Sequence, residues 1–217
     1  MMLNLFSVFD PSTGFCSLNW LSVMLFLFMP TPFWKTPSKL MSTIMSTNMK
    51  IMYEIIMHMK SSKPSILLVS MFMFMLTMNV MGLLPYVFTS PAHISCSLAI
   101  ALSMWMSLML YGWINHTNKM FVHLLPIGTP TLLMPFMVLI ESISNLIRPG
   151  SLAVRLTANM IAGHLLMSLL GSNLILNLPL MMVMMWLFMG LMMFELAVAF
   201  IQAYVFMTLS TLYSSEI

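Results

Sequence analysis

Two stretches, residues 65–88 and 95–114, run for about twenty residues or more without one charged side chain, the length an α-helix needs to cross a bilayer. Only 6% of the 217 residues are charged and 60% are hydrophobic. A soluble domain carries roughly 25% charged residues, so this chain has too little polar surface to fold in water. The bilayer core offers backbone groups no outside hydrogen-bond partner, so long apolar segments cross it as helices. The expected fold class is an all-α membrane protein, with residues 1–217 forming a single integral membrane domain.

The flanking segments extend this reading. Residues 12–30 hold an apolar run between Asp10-Pro11 and Pro30-Thr31-Pro32, expected as one N-terminal span. Between 38 and 60, Met41, Ile44, Met45, Ile51, Met52, Ile55, Ile56 and Met59 recur at helical spacing, while Lys50, Glu54 and His58 fall four apart on another side. That pattern predicts an amphipathic helix in the plane of the membrane interface, with a solvated helix packed on a partner subunit as the rival. Spans 65–88 and 95–114 form a two-helix hairpin about Thr89-Ser90-Pro91, and a polar loop, 115–123, follows. Two long segments, 131–171 and 174–214, complete the chain.

Charge placement orients these elements. The lysines (Lys35, Lys39, Lys50, Lys60, Lys63 and Lys119) lie in two loops separated by two spans, so both loops share a side. The positive-inside rule makes it the side of synthesis, with the N-terminus opposite. These charges are too scattered for a phosphate-binding patch, which argues against a nucleic-acid partner. Cys16 and Cys96 make no metal spacing, and the 31 methionines cluster in no thioether motif. Methionine substitutes for leucine on a lipid-facing helix, which is the plainer account of its number. No cofactor or metal is expected, and no Gly-rich loop ending in Lys-Ser/Thr offers a nucleotide site.

Against this apolar background, Val154-Arg155-Leu156-Thr157-Ala158-Asn159 followed by Ala162-Gly163-His164 stands out. An arginine at mid-bilayer costs at least ~2.5–3.5 kcal/mol on insertion scales and usually marks a function. Glu141, Ser144, Arg148, Ser151, Arg155, Asn159 and Ala162 follow one another at steps of three or four. At 100° per residue Glu141 lies about 40° from Arg155 and Arg148 about 20°, so a continuous helix aligns them on one face. A hairpin at Arg148-Pro149-Gly150 would break that alignment, so the stripe favours one long tilted helix, kinked at Pro149. His164, nine residues past Arg155, falls on the opposite face. On the last segment Glu195 and Gln202 share a face among Ala197, Ala199 and Ala203. Pairing of the two segments would set Gln202 near Arg155 and Glu195 near His164.

Each polar residue also has a plainer reading. Arg155 could be a structural charge paired with Glu195, and His164 a helix-packing histidine. Arg148 could be an interfacial anchor snorkelling to headgroups. Asn79 could simply bond a neighbouring helix, and His93, His116 and His123 read as turn or interface residues. At the level of the whole chain, a secondary transporter would predict internal repeats with broken helices, and none is visible. A haem-bearing or structural subunit of another respiratory complex would call for paired intramembrane histidines, and only His164 is deep.

The chain resembles the mitochondrial form of the ATP synthase subunit a family, the membrane proton-channel subunit of the rotary enzyme. The likeness is weak before Asn79-Val80-Met81-Gly82-Leu83-Leu84-Pro85, clear at 126–130, and closest from Ile140 to Gly171 and from Leu196 to Phe206. It implies that the two last helices are long, strongly tilted and wrapped on a ring of c subunits. The family's essential arginine falls on Arg155. Asn159, His164, Glu195 and Gln202 correspond to its intermembrane-space channel, and Glu141 to an acid of its matrix channel. Glu216 stands where relatives often have aspartate, Ser144 lies on the same matrix side, and Arg148 varies among members. The implied setting is the mitochondrial inner membrane, N-terminus in the intermembrane space and C-terminus in the matrix. The implied partners are protons, lipid, the c-ring, the peripheral stalk and the other membrane subunits, with no catalysis by this subunit alone.

Overall fold

A computed structural model describes residues 5–12, 16–31, 34–59, 64–125, 130–174 and 181–216. Every regular element among them is helical: α1 (Lys39–Met59), α2 (Ser65–Gly82), α3 (Ile94–Asn115), α4 (Thr117–His123), α5 (Met134–Leu174) and α6 (Met181–Glu216), with short 3-10 segments before α1 and between α2 and α3. Four of these, α2, α3, α5 and α6, are long and apolar enough to cross a membrane. Serine and threonine hydroxyls within the helices bond the carbonyl three residues back, as in Ser70 to Leu67 and Ser210 to Met207, and so need no outside partner in an apolar medium.

Where the segments end differs from expectation in three places, each for a local reason. Within 12–30 the chain forms a 3-10 helix, Leu18–Phe28, of 11 residues. At about 2 Å rise per residue that is roughly 22 Å, short of the ~30 Å hydrocarbon core. The second segment stops at Gly82 rather than at 88. Pro85 disfavours helical geometry in the residue before it, and Tyr86 turns the chain with φ at 66°. The polar loop at 115–123 is in fact the short helix α4.

The long segment runs unbroken through Pro149 as one 41-residue helix, about 60 Å at 1.5 Å per residue, so the hairpin alternative is not what forms. Loss of one backbone hydrogen bond is tolerable inside a helix that gains packing along its whole length.

α2 packs on α6, α3 on α5, and α5 on α6. Their main core joins Leu68, Phe72 and Met75 of α2, Met104 of α3, Leu156 of α5, and Phe206 and Met207 of α6. Ala101, Ala153, Ala199 and Ala203 are 0–3% exposed and let the backbones approach closely. Ala197 faces outward instead. α1 docks on this bundle through Ile55, which is buried at 1% exposure. The Ser214 hydroxyl points to the Met59 sulfur at 2.9 Å, and Tyr204 donates to Glu54 at 3.4 Å. Lys50, Glu54 and His58 remain exposed, which is the amphipathic pattern read from the sequence.

Candidate functional site

The antiparallel α5–α6 pair positions nearly every polar residue of interest. Arg155 is exposed on α5, beside a small void that it shares with Gln202 of α6. Among the described residues it makes no ion pair or hydrogen bond, so it is not a structural charge paired with Glu195.

Toward the C-terminal end of α5, the packing tightens. Glu195 is 7% exposed, and its carboxylate lies where a Cβ on residue 163 would stand. Only glycine at 163 admits it. Asn159, Glu195, Gln202 and Asn79 then border one cavity of about 10 Å³, the limit for a single water. Asn79 comes from α2 and is fully buried; its amide donates to the Ala199 carbonyl at 3.5 Å, and its Oδ1 has no protein partner. The helix-bonding role expected for Asn79 is therefore present, and it also reaches the cavity beside Glu195.

Gly163, the residue before His164, takes the contact with Glu195. No ion pair or hydrogen bond joins His164 to Glu195 among the described residues. The His164 ring instead faces the Gly82 backbone and the Phe9 ring, 6.2 Å away and edge-on, and its Nε2 is buried without a partner. The reason is rotational: Gly163 points at α6, so the next residue must turn about 100° away. Thr89, whose hydroxyl is likewise buried and unpartnered, packs against Gly82 on that same side.

Toward the N-terminal end of α5, the site is open. Arg148 Nη2 lies 3.9 Å from Glu141 Oε1, both side chains partly exposed, and the guanidinium stacks 5.0 Å from the centre of the Tyr213 ring on α6. This contact between residues seven apart confirms that the stripe lies along one helical face. Asn145 joins the pair at the wall of a cavity of about 570 Å³ between α3, α4 and α5. The Ser144 hydroxyl is turned back onto the Glu141 carbonyl at 2.8 Å. The side chain of Glu216 lies outside the described residues.

A single exposed arginine between a buried acid and an open acid–base pair, on two long apolar helices, can be compared with known proteins. The ATP synthase A chain family model matches residues 15–215. The chain belongs to that family. Full-length similarity to proteins named ATP synthase subunit a supports the same assignment: 53% identity to that of Locusta migratoria, 52% to that of Drosophila melanogaster and 50% to that of Anopheles gambiae, covering all of both chains each time. As a member of the ATP synthase A chain family it is a multi-pass membrane protein.

Sequence reasoning did not assign two residues to this site. Asn79 sits alone in an apolar span, with its α6 contact 120 residues away. Gly163 was visible in the Ala-Gly-His motif, but its steric partner becomes apparent only once the helices are paired.

Proposed function

We propose that this chain is the stator proton-channel subunit of a mitochondrial F-type ATP synthase. In this reading α5 and α6 lie strongly tilted against a c-subunit ring, which accounts for helices much longer than the bilayer is thick. The N-terminus lies in the intermembrane space and the C-terminus in the matrix, with the peripheral stalk and other membrane subunits around the remaining faces. The observation that carries the proposal is Arg155, exposed and without an ion pair among the described residues, between the Glu195 cluster and the Glu141–Arg148 pair.

A ring carboxyl must be neutral to face lipid and charged to exchange a proton. Arg155 attracts the ionised carboxylate as it passes, and its permanent charge repels a proton crossing directly. A desolvated lysine could lose its proton; arginine does not. Asn159, Glu195, Gln202 and His164, joined by Asn79, form the intermembrane-space path. Glu141, Arg148, Ser144 and Glu216 form the matrix path. Protons moving between them gain ~2.3 kcal/mol per 100 mV, and rotation of the ring is the only connection.

Arg155→Ala in the assembled complex tests this directly. ATP-driven proton pumping, followed by dye quenching in sealed vesicles, is expected to vanish while subunit levels hold. Full coupled pumping would overturn the proposal.

A further inference from the structure

The cavity of about 570 Å³ at the N-terminal end of α5 is larger than any proton path needs, and its size falls in the ligand-pocket range of roughly 300–1,000 Å³. Trp105, Met109 and Trp113 of α3 and Met120 of α4 form its apolar side. An apolar-walled cavity holds water poorly. Its Trp113 end lies toward the membrane interface, because Trp113 comes two residues before the end of α3 and Lys119 follows on α4. Tryptophan favours this level of a bilayer.

The opposite wall carries Glu141 and Arg148, 3.9 Å apart, with the guanidinium held on the Tyr213 ring. Among the described residues that wall carries one positive and one negative charge. A purely basic pocket would select an anionic lipid; here Glu141 opposes a second negative charge. We infer that the cavity binds one zwitterionic glycerophospholipid. Its phosphate lies on Arg148, whose planar fork suits phosphate oxygens. Its ammonium lies on Glu141, and an acyl chain follows Trp105 and Met109. The inference goes beyond the half-channel reading. The hydrated headgroup would supply a polar lateral wall to the matrix path where α3 and α5 part.

The test uses the intact complex in vesicles of equal phosphatidylethanolamine and phosphatidylglycerol. In parallel samples, one or the other lipid carries a diazirine on its acyl chain, and cross-linked peptides are mapped. Phosphatidylethanolamine is expected to label the 105–113 segment several-fold more than phosphatidylglycerol. Met109→Trp, which fills the cavity, should remove that labelling while labelling at exposed Trp186 persists. Glu141→Gln should erase the headgroup preference. Equal labelling by the two lipids, no labelling of 105–113, or labelling indifferent to Met109→Trp would each overturn the inference. If Met109→Trp fails to assemble, the preference in the unaltered protein still decides. Pumping by the Arg155→Ala variant, measured separately, reports on the half-channel reading, because Arg155 does not line this cavity.

Discussion

On one side of Arg155 the Glu195 carboxylate is pressed against Gly163 around a void of about 10 Å³, while on the other Glu141 and Arg148 face about 570 Å³ of open cavity. The first acid is fixed by sterics: helix backbone lies beneath it and Asn79, Asn159 and Gln202 beside it. The second is fixed by a 3.9 Å ion pair that solvent can reach. Substitutions at the packed end should therefore act through shape, and those at the open end through charge. The packed end should also be the less forgiving of the two.

Within the two ends, the largest effect is expected at Gly163. A methyl group there overlaps the Glu195 carboxylate, so Gly163→Ala must move the acid or part α5 from α6. Overpacking of this kind costs about 1–3 kcal/mol. Vesicle proton flux should fall close to background, with subunit levels lowered but detectable. Normal flux in Gly163→Ala would show that Glu195 can leave Gly163 without consequence, and the contrast between the two ends would fail.

Asn79→Leu comes next. It removes an amide whose Oδ1 is buried without a partner, together with a 3.5 Å bond to Ala199. The lost bond is long, so the cost to stability is at most about that of one ordinary hydrogen bond, ~0.5–1.5 kcal/mol. Assembly should hold while flux drops several-fold. A loss of subunit with normal flux per complex would make Asn79 a packing residue only.

These two residues mark the limit of what the sequence reveals. Helix existence was legible because apolar length is a property of one segment. The continuity of α5 through Pro149 was also legible, because the stripe from Glu141 to Asn159 keeps its period only in a single helix. The pairing of Gln202 with Arg155 followed from running two helices antiparallel. The expectation that Glu195 lies near His164 left out rotational register, and the residue against the Glu195 carboxylate is the adjacent Gly163. One residue's turn of about 100° gives Gly163, not His164, to α6. The steric role of Gly163 and the reach of Asn79 depend on three helices at once, which no single-segment pattern contains. The early end of α2 depends on Pro85, a signal that was present and outweighed by the apolar run beyond it.

At the open end, Arg148→Gln should act more mildly. A partly exposed ion pair contributes about 0.2–1 kcal/mol, so assembly should be unchanged. Flux should fall less than in Asn79→Leu, and raised salt should narrow its difference from the unaltered protein, because screening already weakens an exposed pair. A loss as complete as that of Gly163→Ala would mean that the open end is as rigidly specified as the packed one.

The smallest effect is expected at Ser144, and it sharpens the contrast most finely. Ser144 shares the Glu141 face, which makes it a plausible relay, yet its hydroxyl donates to the Glu141 carbonyl at 2.8 Å. Ser142 and Ser151 make the same bond to Leu139 and Arg148, so the arrangement belongs to the helix rather than to the path. A hydroxyl whose proton is engaged by its own backbone forms wall rather than wire. Ser144→Ala should change stability by less than about 0.5 kcal/mol and leave flux nearly intact. A several-fold drop in flux with normal assembly would show instead that the hydroxyl rotates away from Glu141 to pass protons, and that the open end relies on placed donors as the packed end does.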